Sequence, residues 1–250
     1  MRTTHANLTV YLLLCTLIFQ IPVLTQYHGG FVSQVSRQPF ATPNLSGADG
    51  EEHYVTNVFQ NGRFDEPWGT GAPPGFSGYG TGLSFANTTY RDLVANGSQS
   101  ALLEALGSRS WEGYVGIWQD LGGKLNLGSP TYLNVSYYVV STGYLSSSGY
   151  ICVDVQSRSS SQVFRTLRYV LSANPSQYFY NFSARYTWVL DSPMGTWVTL
   201  HRNLTEDFQN AFGSSAGDYN VTGIQLSMYS GSPSDWSQVV FDDVKVRNAT

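Results

Sequence analysis

From Tyr54 onward the chain is a succession of short alternating or apolar runs, each stopped by Gly, Ser, Pro or Asn, and this pattern constrains the fold more than any other feature. The runs 115–121, 132–140, 150–155, 163–171, 196–200, 224–229 and 239–246 all have the length and texture of strands. An extended chain sends successive side chains to opposite faces, so such runs bury one face and free the other. The strand–helix alternation of a parallel α/β protein is missing, and no internal repeat is apparent. Helical signal is confined to residues 204–212, where Phe208 and Phe212 share a face and Gly213 follows, with a weaker candidate over 101–106. The expectation is an all-β sandwich with one short helix, formed by residues 54–250.

What precedes it reads differently. After Arg2 an apolar stretch from Leu8 to Leu24, interrupted mainly by Thr9, Thr16 and Gln20, has the length of a signal-peptide core or short anchor. Residues 1–26 are therefore expected to be a signal peptide or membrane anchor, and 27–53, rich in Gly, Ser, Pro, Gln and Thr, a flexible linker. Cys15 lies in the apolar stretch and Cys152 stands alone beyond it, so the domain has no internal disulfide. Cys152 alternates like a buried strand residue and is assigned no chemistry.

The charge balance narrows the partners. A formal net charge of −4, with 13 basic residues of which two are lysines, is too weak and of the wrong sign for gripping phosphates, which argues against nucleic acid. Nine asparagines begin Asn-x-Ser/Thr, whereas chance would supply about three. Asn7 precedes the apolar stretch; Asn44, Asn87, Asn96, Asn134, Asn181, Asn203, Asn220 and Asn248 are the expected glycosylation sites of an extracellular or cell-surface protein. Membrane contact is expected only through an uncleaved N-terminal segment.

Two motifs at opposite ends of the β region belong together: Asn61-Gly62-Arg63-Phe64-Asp65-Glu66-Pro67-Trp68 and Val240-Phe241-Asp242-Asp243-Val244-Lys245-Val246. Asn-Gly makes a tight turn, Phe64 and Trp68 can anchor an opening strand, and neighbouring first and last strands would bring Asp65 or Glu66 near Asp242 or Asp243. Such a cluster of hard oxygen ligands suits Ca²⁺. With Gln119-Asp120-Leu121 between them, the motifs resemble the carbohydrate-binding modules of the galactose-binding-domain-like jelly-roll superfamily, the type appended to cellulases and xylanases. The resemblance spans residues 58–246, and Asp65 stands where such modules carry Glu. It implies a jelly-roll β-sandwich, a polysaccharide or glycan ligand, and a structural calcium held by the Arg63 carbonyl, Asp65 and Asp242 or Asp243.

A sugar site needs flat aromatic faces with polar groups beside them. Trp68, Trp118 and Trp197 are expected in the core, while Trp111, Tyr114, Tyr186, Trp188 and Trp236 are the candidate platform, with Arg109, Glu112, Arg185 and Gln225 as polar contacts. Catalysis has less to stand on. The six glutamates form no paired motif, the four histidines are scattered, and neither a Gly-x-Ser-x-Gly elbow nor a phosphate loop is present. The leading expectation is thus a non-catalytic carbohydrate-binding module; the alternatives are a glycosylated structural or adhesive protein of a cell envelope or filament, packing against envelope proteins or itself, and a polysaccharide-active hydrolase or lyase.

Overall fold

The computed structural model describes residues 33–34, 54–66, 72–81, 83–88, 94–106, 113–141, 149–213, 215–230 and 236–249. In chain order the strands are β1 (Ser33–Gln34), β2 (Tyr54–Asn57), β3 (Ser77–Thr81), β4 (Leu83–Thr88), β5 (Ser100–Leu106), β6 (Gly113–Asn126), β7 (Thr131–Ser141), β8 (Tyr150–Ser159), β9 (Phe164–Ala173), β10 (Tyr180–Asn181), β11 (Arg185–Val189), β12 (Trp197–Asn203), β13 (Tyr219–Ser230) and β14 (Trp236–Ala249), with helix α1 at Leu204–Phe212. One six-stranded sheet runs β11-β9-β8-β13-β6-β3 and a second runs β12-β7-β14-β5-β4, with β2 also paired to β14. All of these pairings are antiparallel except β11 against β9. The architecture is a jelly-roll β-sandwich with one α-helix among the described residues.

The alternation legible in the sequence builds the core. Ile117, Val153, Leu167 and Leu226 of the first sheet meet Leu103, Val135, Tyr137 and Phe241 of the second in one buried cluster. Burying two facing sheets in this way supplies the main driving force for the fold. The residues between them, such as Trp118, Asp154, Arg168 and Gln225, necessarily fall on the outer face of the first sheet.

Helix α1 has the expected bounds. Asn203 caps its N-terminus by accepting from the Glu206 N–H, Gly213 ends it at φ 90°, and Phe208 lies 4.9 Å from Phe212. Residues 101–106, read as a weak helix, are strand instead. Pairing with β4 on one side and β14 on the other overrides the helical preference of their Ala and Leu residues.

The two terminal motifs meet. Val58 N–H donates to the Val246 carbonyl and Val244 N–H to the Gly62 carbonyl. Asn61 and Phe64 both adopt positive φ, and Phe64 is wholly buried. Only glycine fits at position 62, since a Cβ there would stand 2.0 Å from the Val244 carbonyl oxygen. Within the expected linker, β1 pairs with β10. Residues 1–26, with the expected signal or anchor, lie outside the described residues, among which no helix is long and apolar enough to cross a membrane.

Candidate glycan-binding face

The outer face of the first sheet carries three transverse rows fixed by strand register. Tyr114 pairs with Tyr229 and Tyr229 with Tyr150; Gly116 pairs with Ser227 and Ser227 with Cys152; Trp118 pairs with Gln225, Gln225 with Asp154 and Asp154 with Arg168. The middle row is small, which leaves a shallow trough between an aromatic and a polar row; Tyr79 over Gly116 and Phe179 against Cys152 fill part of it, and Arg168 reaches across it to Tyr150.

Two glycines let aromatic rings lie against the sheet. Tyr79 reaches across from β3 over Gly116, where a Cβ would stand 2.2 Å from its hydroxyl oxygen, and the Trp118 ring sits by Gly223, where a Cβ would stand 2.6 Å from Nε1. Tyr150 stacks on Tyr229 with centroids 5.4 Å apart, and Tyr79 is 5.9 Å from Tyr114. Tyr114 is 41% exposed, the most open of these rings. In the far wall Arg168 grips Asp154 with two bonds, Nε to Oδ1 at 2.7 Å and Nη2 to Oδ2 at 2.6 Å, and also donates to the Tyr150 hydroxyl. Cys152 lies in the floor beside Ser227, and burial pushes its thiol up to about 12, which keeps it protonated and inert.

Of the expected residues, Tyr114, Gln225 and Arg185 are on this face, on β6, β13 and β11 respectively. Tyr186 and Trp188 are not. Their strand parity turns them toward the core, where Trp188 stacks on Tyr169 at 5.3 Å and Tyr186 leans on Trp188 at 4.5 Å. Trp118 reverses the expectation in the other direction, since it stands on the outer face between two core residues, Ile117 and Gln119. Trp197 also leaves the core, packing against Tyr138 on the outer face of the second sheet. Arg109, Trp111, Glu112 and Trp68 lie outside the described residues, as does the side chain of Trp236. Tyr79, Tyr150 and Tyr229 were not singled out from the sequence, although each sits at the parity of a solvent-facing position.

The acidic residues of the terminal motifs gather on one loop, residues 95–98. Asp242, fully buried, accepts from the Ala95 and Asn96 N–H groups, both at 2.8 Å, and from its neighbour Asp243 N–H. Asp65 accepts from the Ser98 N–H and hydroxyl, which hold its carboxyl below the usual range. Asp243 is taken by Lys245 at 2.7 Å, with Arg63 Nε at 3.9 Å. Among the described residues no cation pairs with Asp242 in this way. Burial outweighs its three N–H donors and pushes its carboxyl up to about 6. Among the described residues no three His, Cys, Asp or Glu side chains converge as a metal cluster, so a cation here would draw on backbone carbonyls as well. A pocket of about 350 Å³ opens beside this junction, lined by Phe59, Gly62, Arg63, Asp243, Val244 and Lys245.

The sequons take structural roles. Asn203, Asn220 and Asn248 use their amide oxygens as acceptors, from Glu206 N–H, Asn126 Nδ2 and Thr131 Oγ1 respectively, which leaves Nδ2 available for a sugar. Asn134 is bonded to His201, and Asn96 Nδ2 points at Asp243. Asn181 departs from the expected surface role, being 8% exposed with its Oδ1 accepting from Thr187 N–H. Asn7, Asn44 and the Asn87 side chain fall outside the described residues.

No protein-family model and no curated protein matches the sequence. Solved structures do resemble the sandwich. Carbohydrate-binding modules are among them. A family-61 module in complex with β-1,4-galactotriose is 9% identical, matching 77% of this chain and 99% of its own at a TM-score of 0.40. The family-11 module of the Clostridium thermocellum cellulosomal cellulase Lic26A-Cel5E is 15% identical over 74% of this chain and 91% of its own, TM-score 0.40. An arabinose-bound GH51 α-L-arabinofuranosidase is 12% identical over 86% of this chain but 29% of its own, TM-score 0.43. The likeness is one of sandwich form; the roles of individual residues rest on this chain's own geometry.

Proposed function

We propose that the protein is an extracellular, non-catalytic carbohydrate-binding module whose glycan lies in the trough on the outer face of the six-stranded sheet. One observation carries this reading: Tyr79 and Trp118 are laid against the sheet over Gly116 and Gly223, in a trough shared with Gln225, Asp154 and Arg168. Flat rings cover the apolar face of a pyranose, and amide and charged groups meet its hydroxyls. A glycosidase would need two carboxylates flanking the bond to be cut. Of the carboxylates described on this face, Asp154 has both oxygens occupied by Arg168, and Asp120 accepts from the Gly122 N–H in its own turn. The arrangement therefore holds a sugar chain without a proton donor and nucleophile to break it.

A structural Ca²⁺ at the terminal junction is part of the proposal. The buried carboxylate of Asp242, Asp65 bonded to the same loop and the Arg63 carbonyl offer the oxygen donors that this ion takes, and its charge would offset the burial of Asp242. Its contribution is to fasten the opening and closing motifs together.

The test is titration calorimetry of the purified protein against xylan, galactan and mixed-linked β-glucan, with thermal unfolding measured in Ca²⁺ and in chelator. Saturable binding is expected, weakened about thirtyfold by Trp118→Ala, which corresponds to about 2 kcal/mol. Calcium is expected to raise the melting temperature of the wild type and not that of Asp242→Ala. A folded protein that binds no glycan would overturn the lectin reading in favour of envelope structure or adhesion.

A further inference from the structure

The trough is chemically lopsided. Its β6 and β13 half offers Trp118, Tyr114, Tyr229 and Gln225, which are uncharged, and one exposed carboxylate, Asp120, at the edge of the face. The half built from β8, β9 and β11 carries three arginines, Arg158, Arg168 and Arg185, against the single carboxylate of Asp154. That excess of positive charge stands out in a chain whose formal net charge is −4.

The three arginines differ in what occupies them. Arg168 is spent on Asp154 and Tyr150. Arg158 lies exposed with its guanidinium 5.7 Å from the Phe164 ring. Arg185 is the unusual one. Its guanidinium rests 5.3 Å from the Phe182 ring, its Nε is buried without an acceptor, and the nearby Arg168 adds repulsion to the cost of burial, which Asp154, already occupied by Arg168, only partly offsets. A half-buried guanidinium that faces a second arginine and has no carboxylate of its own costs stability unless an anion completes it.

Resting on the glycan-binding reading above, we infer that the ligand is an acidic glycan, and that Arg185 sets this specificity by receiving the carboxylate of a uronic acid unit while neighbouring sugars lie on the aromatic half of the trough. A carboxylate is planar and matches the guanidinium fork with two parallel bonds, which lysine cannot reproduce. Phe182 holds the guanidinium from below, so little rotamer freedom is lost when the anion docks. A neutral sugar at the same place would leave the charge excess unanswered, and discrimination follows from that difference.

The experiment compares polygalacturonate with its fully methyl-esterified form, the same backbone without charge, against wild type, Arg185→Met and Arg185→Lys, each checked for folding by circular dichroism. Wild type is expected to prefer the acid polymer at least tenfold, with the preference shrinking as salt is added. Arg185→Met is expected to reduce that ratio to near one, and Arg185→Lys to recover only part of it. Equal binding of the two polymers by wild type, or an undiminished preference in Arg185→Met, overturns the inference and leaves glycan binding intact. Binding of neither polymer nor of any neutral glycan overturns both. The two polymers on wild type alone decide the question should Arg185→Met not fold.

Discussion

Replacing Asp207 by alanine should loosen the joint between helix α1 and the six-stranded sheet. The Tyr169 hydroxyl, fully buried, donates to Asp207 Oδ2 at 2.7 Å, and Arg202 donates to the same carboxylate through Nε at 2.8 Å and Nη2 at 2.5 Å. Arg202 also lies 5.2 Å from the Tyr169 ring and 5.5 Å from that of Trp188, so the one carboxylate fixes a cation over two stacked aromatics. An orphaned buried phenol costs about 1–3 kcal/mol. The Arg202 side chain is 24% exposed and water partly replaces its partner, so that loss is about 1 kcal/mol. Removing an acid from the first helical turn adds about 0.3–1 kcal/mol. Together the change should destabilise by about 3–4 kcal/mol, which lowers the melting temperature of a domain this size by roughly 10 °C. Scanning calorimetry at pH 7 measures the shift, and a double-mutant cycle with Tyr169→Phe should return a coupling of about 1–2 kcal/mol. A loss under 3 °C, or strictly additive mutations, would show that the knot does not carry the joint.

Three further outcomes follow from particular contacts. Gly62→Ala must push its Cβ into the Val244 carbonyl, a backbone atom that cannot swing aside, so denaturant unfolding should show a loss of about 2 kcal/mol or more; a neutral change would mean that the terminal motifs are not locked as described. Gly223→Ala should lift the Trp118 ring and weaken glycan binding about tenfold with little change in melting temperature; unchanged affinity would remove Trp118 from the platform. Cys152, its thiol held near pKa 12 by burial, is protonated throughout ordinary working pH in the fold. Its alkylation at pH 8.5 should therefore be slow in the native protein and fast in denaturant, whereas rapid native labelling would contradict the packed floor of the trough.

Much of the fold was legible because it depends on local alternation and turn chemistry. Ile117, Val153 and Leu226 reach the core from the parity of their runs, and Gly213 stops α1 where a residue at positive φ is needed. The meeting of Gly62 with Val244 could be anticipated from the motif pair, since acidic and turn residues at both ends make sense only if those ends are neighbours. The segment 101–106 was less legible for the converse reason: its Ala, Leu and Glu content favours a helix, and only the two strands that flank it decide otherwise.

The binding face was half legible, and the difference lies in register. Trp118 sits between Ile117 and Gln119, so alternation alone turns it outward; its bulk argued for the core and prevailed wrongly. Tyr186 and Trp188 could not be placed this way, because a five-residue edge strand paired in parallel to β9 gives no sequence sign of which parity is inward. Gly223 comes beside Trp118 through the register of β13 on β6, in which Gln225 faces Trp118 and Gly223 faces Asp120, the next pair on the same face. That register joins segments far apart in the sequence, so no local pattern announces it. The candidate platform thus depends on long-range pairing, and the arginines beside it, spread over β8, β9 and β11, come together only when those registers are aligned.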